Sequence, residues 1–414
     1  MLTFIHSADF HLDSPLLGLD RYEGAPVQEI RQATRKALAN LVDHVLKQNI
    51  PLLIISGDLY DDDCPDFQTL LHFCRQMDRL GQAGTRVALI QGNHDAGNPM
   101  TGSLPLPGNV TLFSSRNPQT HILEDLGVAL HGQSYARAQV LENLVRSYPD
   151  PVPGLFNIGL LHTSLSGTPG ESGYAPCRLN DLLARDYQYW ALGHNHRPEI
   201  VHDRPLVVFP GCIQGRHIRE PGPKGCVQVQ VNDSGRVHQE TVTLDVFRWQ
   251  TMQLDISGLT TMDQIMDQAA LSLKEVFSRE SGNRPMGVRL ILKGTARAHD
   301  SLIRDPEKVQ AAIRRIATEI SGGTIWMEKI IQDTRPMVDW DELGKSQTPQ
   351  GHLIRFIDQL ENHPEYLEKL GINLTDLSAR IAGTGVSLPD LSLPGEREKI
   401  LEKVRNLIVP YLST

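Results

Sequence analysis

LLIISGDLYD, Leu52 to Asp61, decides the fold. The uncharged run LLIIS has the length of a strand buried on both faces, and Gly57 closes it with a turn in which a missing side chain allows close backbone approach. Two aspartates, Asp58 and Asp61, follow in the loop. A buried strand that opens into a polar loop is how an α/β sheet presents its chemistry. One such loop is a weak signal. Working outward, the arrangement recurs: DFH (Asp9 to His11) follows LTFIHSA, GNHD (Gly92 to Asp95) follows VALIQ, LLHTS around His162 follows NIGLL, and GHNH (Gly193 to His196) follows YWAL.

His and Asp at strand ends are ordinary, so coincidence has to be weighed. From average composition a GNHD tetrapeptide arises by chance on the order of once in a thousand chains of this size, and GHxH on the order of once in a hundred. Both occur here, in order, after strand-like runs and downstream of GD, and coincidence is a poor account.

Composition bounds the rest. A chain of 414 residues has room for two or three domains at roughly 100 to 200 residues each. Hydrophobic residues at 40% and charged residues at 21% describe a soluble globular protein, and no apolar run approaches the roughly 18 residues of a membrane helix. With a candidate ligand already at Asp9, a cleaved leader is not expected and a cytoplasmic location is. Cys64, Cys74, Cys177, Cys212 and Cys226 are scattered, without CxxC spacing, and read as reduced thiols. The net charge of -9 argues against coating nucleic acid by bulk electrostatics but leaves a nuclease open, because divalent cations offset negative charge locally.

Residues 1–245 alternate buried strands with helical patterns such as Ile30 to Leu46 and Phe67 to Leu80, and they end in the β-rich stretches Pro205 to Gly211, Gly225 to Val231 and Val237 to Leu244. Residues 246–337 read β-α-β-α-β, a small α/β lobe with helices from Met262 to Phe277 and from Pro306 to Ile320. Residues 338–414 become helical, with apolar stripes Leu353, Ile354, Ile357, Leu360 and Ile400, Leu401, Val404, Leu407, Ile408 around a spacer, Gly383 to Gly395.

Mixed carboxylate, imidazole and amide oxygen donors suit divalent ions such as Mn²⁺, and two ions about 3.5 to 4 Å apart can share a carboxylate. Asp58 is the natural bridge, and Asn93, His162, His194 and His196 would complete two coordination spheres. Asp9 and His11 lie one residue apart, and whether both reach one ion depends on backbone geometry that the sequence does not show. His94 need not bind metal and suits protonation of a leaving alkoxide, with Asp61 placed to orient it. Arg216, His217 and Arg219 are candidates to contact substrate phosphates, with a solvated loop as the alternative.

The ordered set DFH, GDLYD, GNHD, LLHTS and GHNH resembles the calcineurin-like metallophosphoesterases. HSADFHLD, GDLYD, ALGHNH and FPGCIQGRHIREPGPKGC are similar to the SbcD and Mre11 nuclease branch, most of all to its YhaO-like bacterial members. The resemblance implies a two-sheet β-sandwich flanked by helices, with a cap lobe and a C-terminal helical segment. It implies one Mn²⁺ held by Asp9, His11, Asp58 and His196 and another by Asp58, Asn93, His162 and His194, with His94 as the catalytic histidine and Asp61 as its partner. It implies a homodimer that processes DNA ends with an SbcC/Rad50-like or YhaN-like coiled-coil ATPase on its C-terminal helices. Phosphoprotein phosphatases of the superfamily carry Arg where Asp62 stands, and Cys212 stands where related chains often have Ser. The rival readings are a small-molecule phosphodiesterase or phosphatase and a DNA-end-binding subunit whose metals are structural.

Overall fold

The structure, a computed structural model, describes residues 1–14, 24–61, 67–98, 105–165, 173–282, 284–363, 366 and 394–408. The spacer at Gly383 to Gly395, apart from its last two residues, lies outside the described residues, as do Asp62 and Cys64. The chain forms two units, one of Met1–Gln250, Ser278–Val288 and Thr324–Glu328, the other of Thr251–Phe277, Arg289–Gly323 and Lys329–Thr414.

The first unit contains two six-stranded sheets. In chain order their strands are β1 (Leu2–Ser7), β2 (Leu52–Ser56), β3 (Arg86–Ile90), β4 (Val110–Leu112), β5 (Gln119–Leu123), β6 (Val128–Gly132), β7 (Phe156–His162), β8 (Tyr189–Gly193), β9 (Glu199–Asp203), β10 (Leu206–Phe209), β11 (Gly225–Val231) and β12 (Val237–Thr243). One sheet has the order β12-β11-β1-β2-β3-β4 and the other β5-β6-β7-β8-β10-β9. Strands β1 to β4 run parallel, as do β6, β7, β8 and β10. Antiparallel β11 and β12 extend the first sheet, and β5 and β9 edge the second.

Side chains alternate along each strand, and both faces are buried. Phe4, Leu52, Ile54, Ala88 and Ile90 from the first sheet meet Leu130, Ile158, Leu160, Tyr189 and Ala191 from the second, forming the core between the sheets. Ile5, Leu53, Ile55, Val87 and Leu89 face the other way, onto Leu38, Leu41 and Val45 of helix Ala33–Lys47 and Phe73, Met77 and Leu80 of helix Phe67–Gln82. That is why these strands read as unbroken apolar runs. The result is the two-sheet sandwich flanked by helices.

Near the C-terminal ends of β1, β2 and β8, polar contacts join the two sheets. His6 on β1 is buried, with Nδ1 at 2.9 Å from the Tyr189 hydroxyl and Nε2 at 3.1 Å from the Leu192 carbonyl, while Ser56 donates to the Ala191 carbonyl at 3.0 Å. Burial pushes the His6 ring down to about 3, so it is neutral at ordinary pH.

The second unit contains most of a three-stranded sheet, β13 (Arg248–Asp255), β14 (Met286–Ala296) and β15 (Ile325–Pro336), in that order. Helices Met262–Glu280 and Pro306–Ser321 follow its first and second strands, giving the β-α-β-α-β order, with a short extra helix at His299–Arg304. Helices Pro349–Asn362 and Pro394–Ile408 pack on each other through Ile357, Leu360 and Leu401, and Arg405 reaches Glu361 at 2.8 Å. No helix among the described residues is long and apolar enough to cross a membrane.

Candidate metal centre

Strands β1, β2 and β3 are mutually parallel, and so are β7 and β8, so the loops at their C-terminal ends collect along one rim. The DFH loop runs beside the GDLYD loop, with Asp9 N donating to Gly57 O, His11 N to Asp58 O and Leu12 N to Leu59 O, each at 3.0 Å. Asp9, His11 and Asp58 all have left-handed backbones, at φ 52°, 44° and 52°. Such conformations are costly for residues with side chains and recur where a site needs them. They turn both members of DFH inward, which answers the question the sequence left open. Gly57 has φ 93°, and a Cβ on it would sit 2.5 Å from His162 Nδ1.

Asp9, His11, Asp58 and His196 form one group whose ligand atoms lie within 4.8 Å of one another. His11 Nδ1 bonds Asp61 Oδ1 at 2.5 Å and His196 Nδ1 bonds Glu220 Oε1 at 2.7 Å. Ionised carboxylates only accept, so the ring hydrogens are assigned to Nδ1 in both cases, and the two Nε2 atoms face each other at 3.1 Å. Unless one ring takes a second proton, two lone pairs meet there. A cation resolves that conflict.

Asp58, His162 and His194 form a second group, and Asp58 is common to both. His162 Nδ1 donates to the Ser56 carbonyl at 2.9 Å, and its Nε2 lies 3.1 Å from Asn93 Oδ1 and 3.3 Å from Asp58 Oδ2. Two oxygens thus converge on Nε2, a place that suits a proton or a cation. The backbone N–H of His194 bonds Asp9 Oδ1 at 3.0 Å, tying the GHNH loop to the DFH loop.

His94 lies on the wall of a cleft of about 660 Å³ that Asp58, Asn93, His194 and His196 also line. Its backbone N–H donates to Asp58 Oδ1 at 3.1 Å. The side chain is 35% exposed, against 0% for His11 and His162 and 27% for His196, and its Nδ1 stands 3.8 Å from Asp61 Oδ1. Asp61 Oδ1 thus faces both rings, the imidazole of His94 at 3.8 Å and that of His11 at 2.5 Å.

Of the basic candidates, Arg216 is neither a solvated loop residue nor turned to solvent. Its side chain is 13% exposed and its guanidinium reaches Glu220 Oε1 at 3.1 Å and Asp61 Oδ1 at 3.4 Å. His217 and Arg219 are exposed. Two carboxylates went unnoticed in the sequence. Asp95, given no role within GNHD, accepts from the backbone of Leu59 at 2.8 Å, Tyr60 at 3.0 Å and Gly92 at 2.9 Å, locking two motif loops together. Glu220 lies in a loop without periodic pattern, and its one signal is proximity to Arg216. Cys212 is buried, and its Sγ donates to the His196 carbonyl at 3.7 Å.

Residues 2–198 match the model of the calcineurin-like phosphoesterases, and residues 249–335 match that of the middle domain of metallophosphoesterase YhaO. The uncharacterized metallophosphoesterase YhaO of Bacillus subtilis is 32% identical over 301 residues, 71% of this chain and 72% of that protein. The chain belongs to the calcineurin-like metallophosphoesterases, as a YhaO-like member. It is also similar to the DNA double-strand break repair proteins Mre11 of Methanopyrus kandleri, 24% identical over 69% of this chain and 66% of that protein, and of Sulfurisphaera tokodaii, 21% identical over 74% and 77%.

Metallophosphoesterases of this family use a dinuclear metal site, and the donors of this chain fit one. The electrostatics agree. Burial alone would strip the proton from His162, but the charge of Asp58 outweighs it and raises the ring to about 9. Burial likewise disfavours a proton on His196, and the hydrogen bond to Glu220 overcomes it. Asp58, despite burial, is held below the usual carboxylate range by His162 and His11. His11 and His194, pushed by burial to about 4 and about 3, stay neutral and ready to donate. The carboxylates thus favour positive charge at His162 and His196, a charge that a pair of divalent ions would supply.

Proposed function

We propose that this metal-dependent phosphoesterase is a Mn²⁺-dependent DNA phosphodiesterase, an exonuclease that also nicks, acting in DNA end processing. Asp9, His11, Asp58 and His196 would hold one ion, and Asp58, Asn93, His162 and His194 the other. The observation that carries the reading is the convergence of ligand side chains into two groups that share Asp58, beside a cleft walled by His94. DNA as the substrate is supported by the relatives named for double-strand break repair and by the motifs shared with that nuclease branch.

The bound ions would supply Lewis-acid stabilisation of the phosphate oxygens and a more acidic water. The chain's own residues do the rest. Asp58 fixes the spacing of the two halves, and its Oδ1 holds the backbone N–H of His94 at 3.1 Å. That tether keeps the His94 imidazole beside the phosphorus, where it protonates the departing oxygen from Nε2, the nitrogen turned away from Asp61. Asp95 binds the GDLYD and GNHD loops to each other, so bridge and acid move as one body.

In the same reading the protein is a homodimer. The lobe at 246–337 selects DNA shape, and the helices within 338–414 dock an SbcC/Rad50-like or YhaN-like ATPase. Phe356 and Leu407, 40% and 50% exposed, are apolar positions there that the packing of the two helices on each other leaves uncovered.

The size of the cleft favours one rival, since about 660 Å³ also suits a small phosphodiester. Competition separates the two. Linear duplex DNA should suppress hydrolysis of a chromogenic phosphodiester by occupying the same site, whereas a small-molecule enzyme would hydrolyse the ester at the same rate with or without DNA.

A further inference from the structure

We propose that Glu220 and Arg216 are positioning residues for the ion held by Asp9, His11, Asp58 and His196, and that they make this the tighter of the two metal sites. This rests on the two-ion reading and not on the identity of the substrate.

Glu220, with its side chain 7% exposed, spends both oxygens on the site. Oε1 takes the hydrogen of His196 Nδ1 at 2.7 Å, and Oε2 takes the backbone N–H of Arg216 at 2.7 Å. Arg216 then spans two carboxylates, Glu220 at 3.1 Å and Asp61 at 3.4 Å, and Asp61 holds His11 Nδ1 at 2.5 Å. The path His196, Glu220, Arg216, Asp61, His11 closes on itself where the two Nε2 atoms meet. Both imidazoles are thus fixed in tautomer and in orientation by one brace.

In the other group, His162 Nδ1 leans on a neutral backbone carbonyl, that of Ser56. A carboxylate partner raises the basicity of a ligating imidazole more than a carbonyl does, and loss of such a partner typically weakens metal binding about 10- to 100-fold. The donors differ in the same sense. The first group has the carboxylates of Asp9 and Asp58, while the second has Asp58 and the uncharged amide of Asn93. Two carboxylates and one guanidinium in the brace leave a net negative charge next to the first ion, and Coulomb attraction favours a cation there.

The test is a Mn²⁺ titration of the metal-stripped full chain, reading free Mn²⁺ by its electron paramagnetic resonance signal. Wild type should bind one ion tightly and a second at least about tenfold more weakly. Glu220→Gln should weaken the tight class about 10- to 100-fold and leave the weak class within about twofold. Asn93→Ala should remove the weak class alone. A merely structural Glu220 would instead lower the melting temperature of the metal-free protein and weaken both classes together, and that result overturns the proposal. Unchanged affinities in Glu220→Gln overturn it as well. If Glu220→Gln does not fold, Arg216→Lys decides in its place: it keeps the charge but not the two-armed contact, and should weaken only the tight class. A wild-type chain that binds no Mn²⁺ would refute the two-ion reading itself.

Discussion

His11 and His196 bring their Nε2 atoms to 3.1 Å of each other across 185 residues of sequence. Each ring has already committed Nδ1 to a carboxylate. A positive charge between the two Nε2 atoms, a shared proton or a divalent ion, relieves the repulsion of their lone pairs.

Asp58 belongs to both groups of donors, so it is the residue whose loss should undo both. Asp58→Ala should bind neither ion at concentrations that fill wild type, and its phosphodiesterase activity should fall to that of a protein-free blank. Metal analysis after gel filtration checks the first part. A variant that keeps two ions would remove Asp58 from the bridging role.

His94 tells metal binding and proton transfer apart. His94→Ala should keep both ions and lose turnover by about 10²- to 10⁴-fold, the usual contribution of a positioned general acid. Restoring turnover with a substrate whose leaving group needs no proton would strengthen the assignment. Near-wild-type turnover on an ordinary diester would remove it.

Metal affinity should rise with pH. His162 has its proton affinity raised from 6.5 to about 9 in the folded chain, so that proton stabilises the metal-free fold fully below about pH 6.5, and the contribution is lost as pH climbs through about 9. A ligating imidazole must give the proton up, which makes Mn²⁺ affinity increase up to about tenfold per pH unit across that window for each proton displaced. Calorimetry at pH 7.5 in two buffers of different ionisation heat should report proton release. No release would contradict the protonated state assigned to His162.

The core between the sheets carries the stability. Phe4 is fully buried, with its ring centroid 5.2 Å from that of Tyr189, so it joins β1 of one sheet to β8 of the other. Phe4→Ala should cost about 3–5 kcal/mol in urea unfolding. A loss under about 1 kcal/mol would mean that the sheets are held mainly by something else.

The sequence and the structure agree where physics leaves a periodic or positional trace. LTFIHS, LLIIS, RVALI, FNIGLLH and YWALG are strands because burial on both faces demands unbroken apolar runs, and each motif loop follows from that placement. Helices Met262–Glu280 and Pro306–Ser321 likewise start where the sequence reading starts them. The edge strand Gln119–Leu123 left no such trace, since its residues are half-buried or exposed, and the sequence reading places no strand there. The role of Glu220 and the added contact of Asp61 with His11 were illegible for another reason. They depend on which side chains meet in three dimensions, and a loop carboxylate 24 residues after His196 has no spacing rule that points to it. Arg216 looked like a phosphate ligand from its charge, and only its contacts with Asp61 and Glu220 reveal a cation already engaged.

The most direct test of the nuclease reading is cleavage of an end-labelled linear duplex by the full chain in Mn²⁺, with EDTA and Asp58→Ala as controls. The account predicts progressive shortening of the duplex that EDTA abolishes, that added Mn²⁺ restores, and that the variant lacks. Intact duplex under conditions where the same preparation rapidly hydrolyses a small phosphodiester would contradict it.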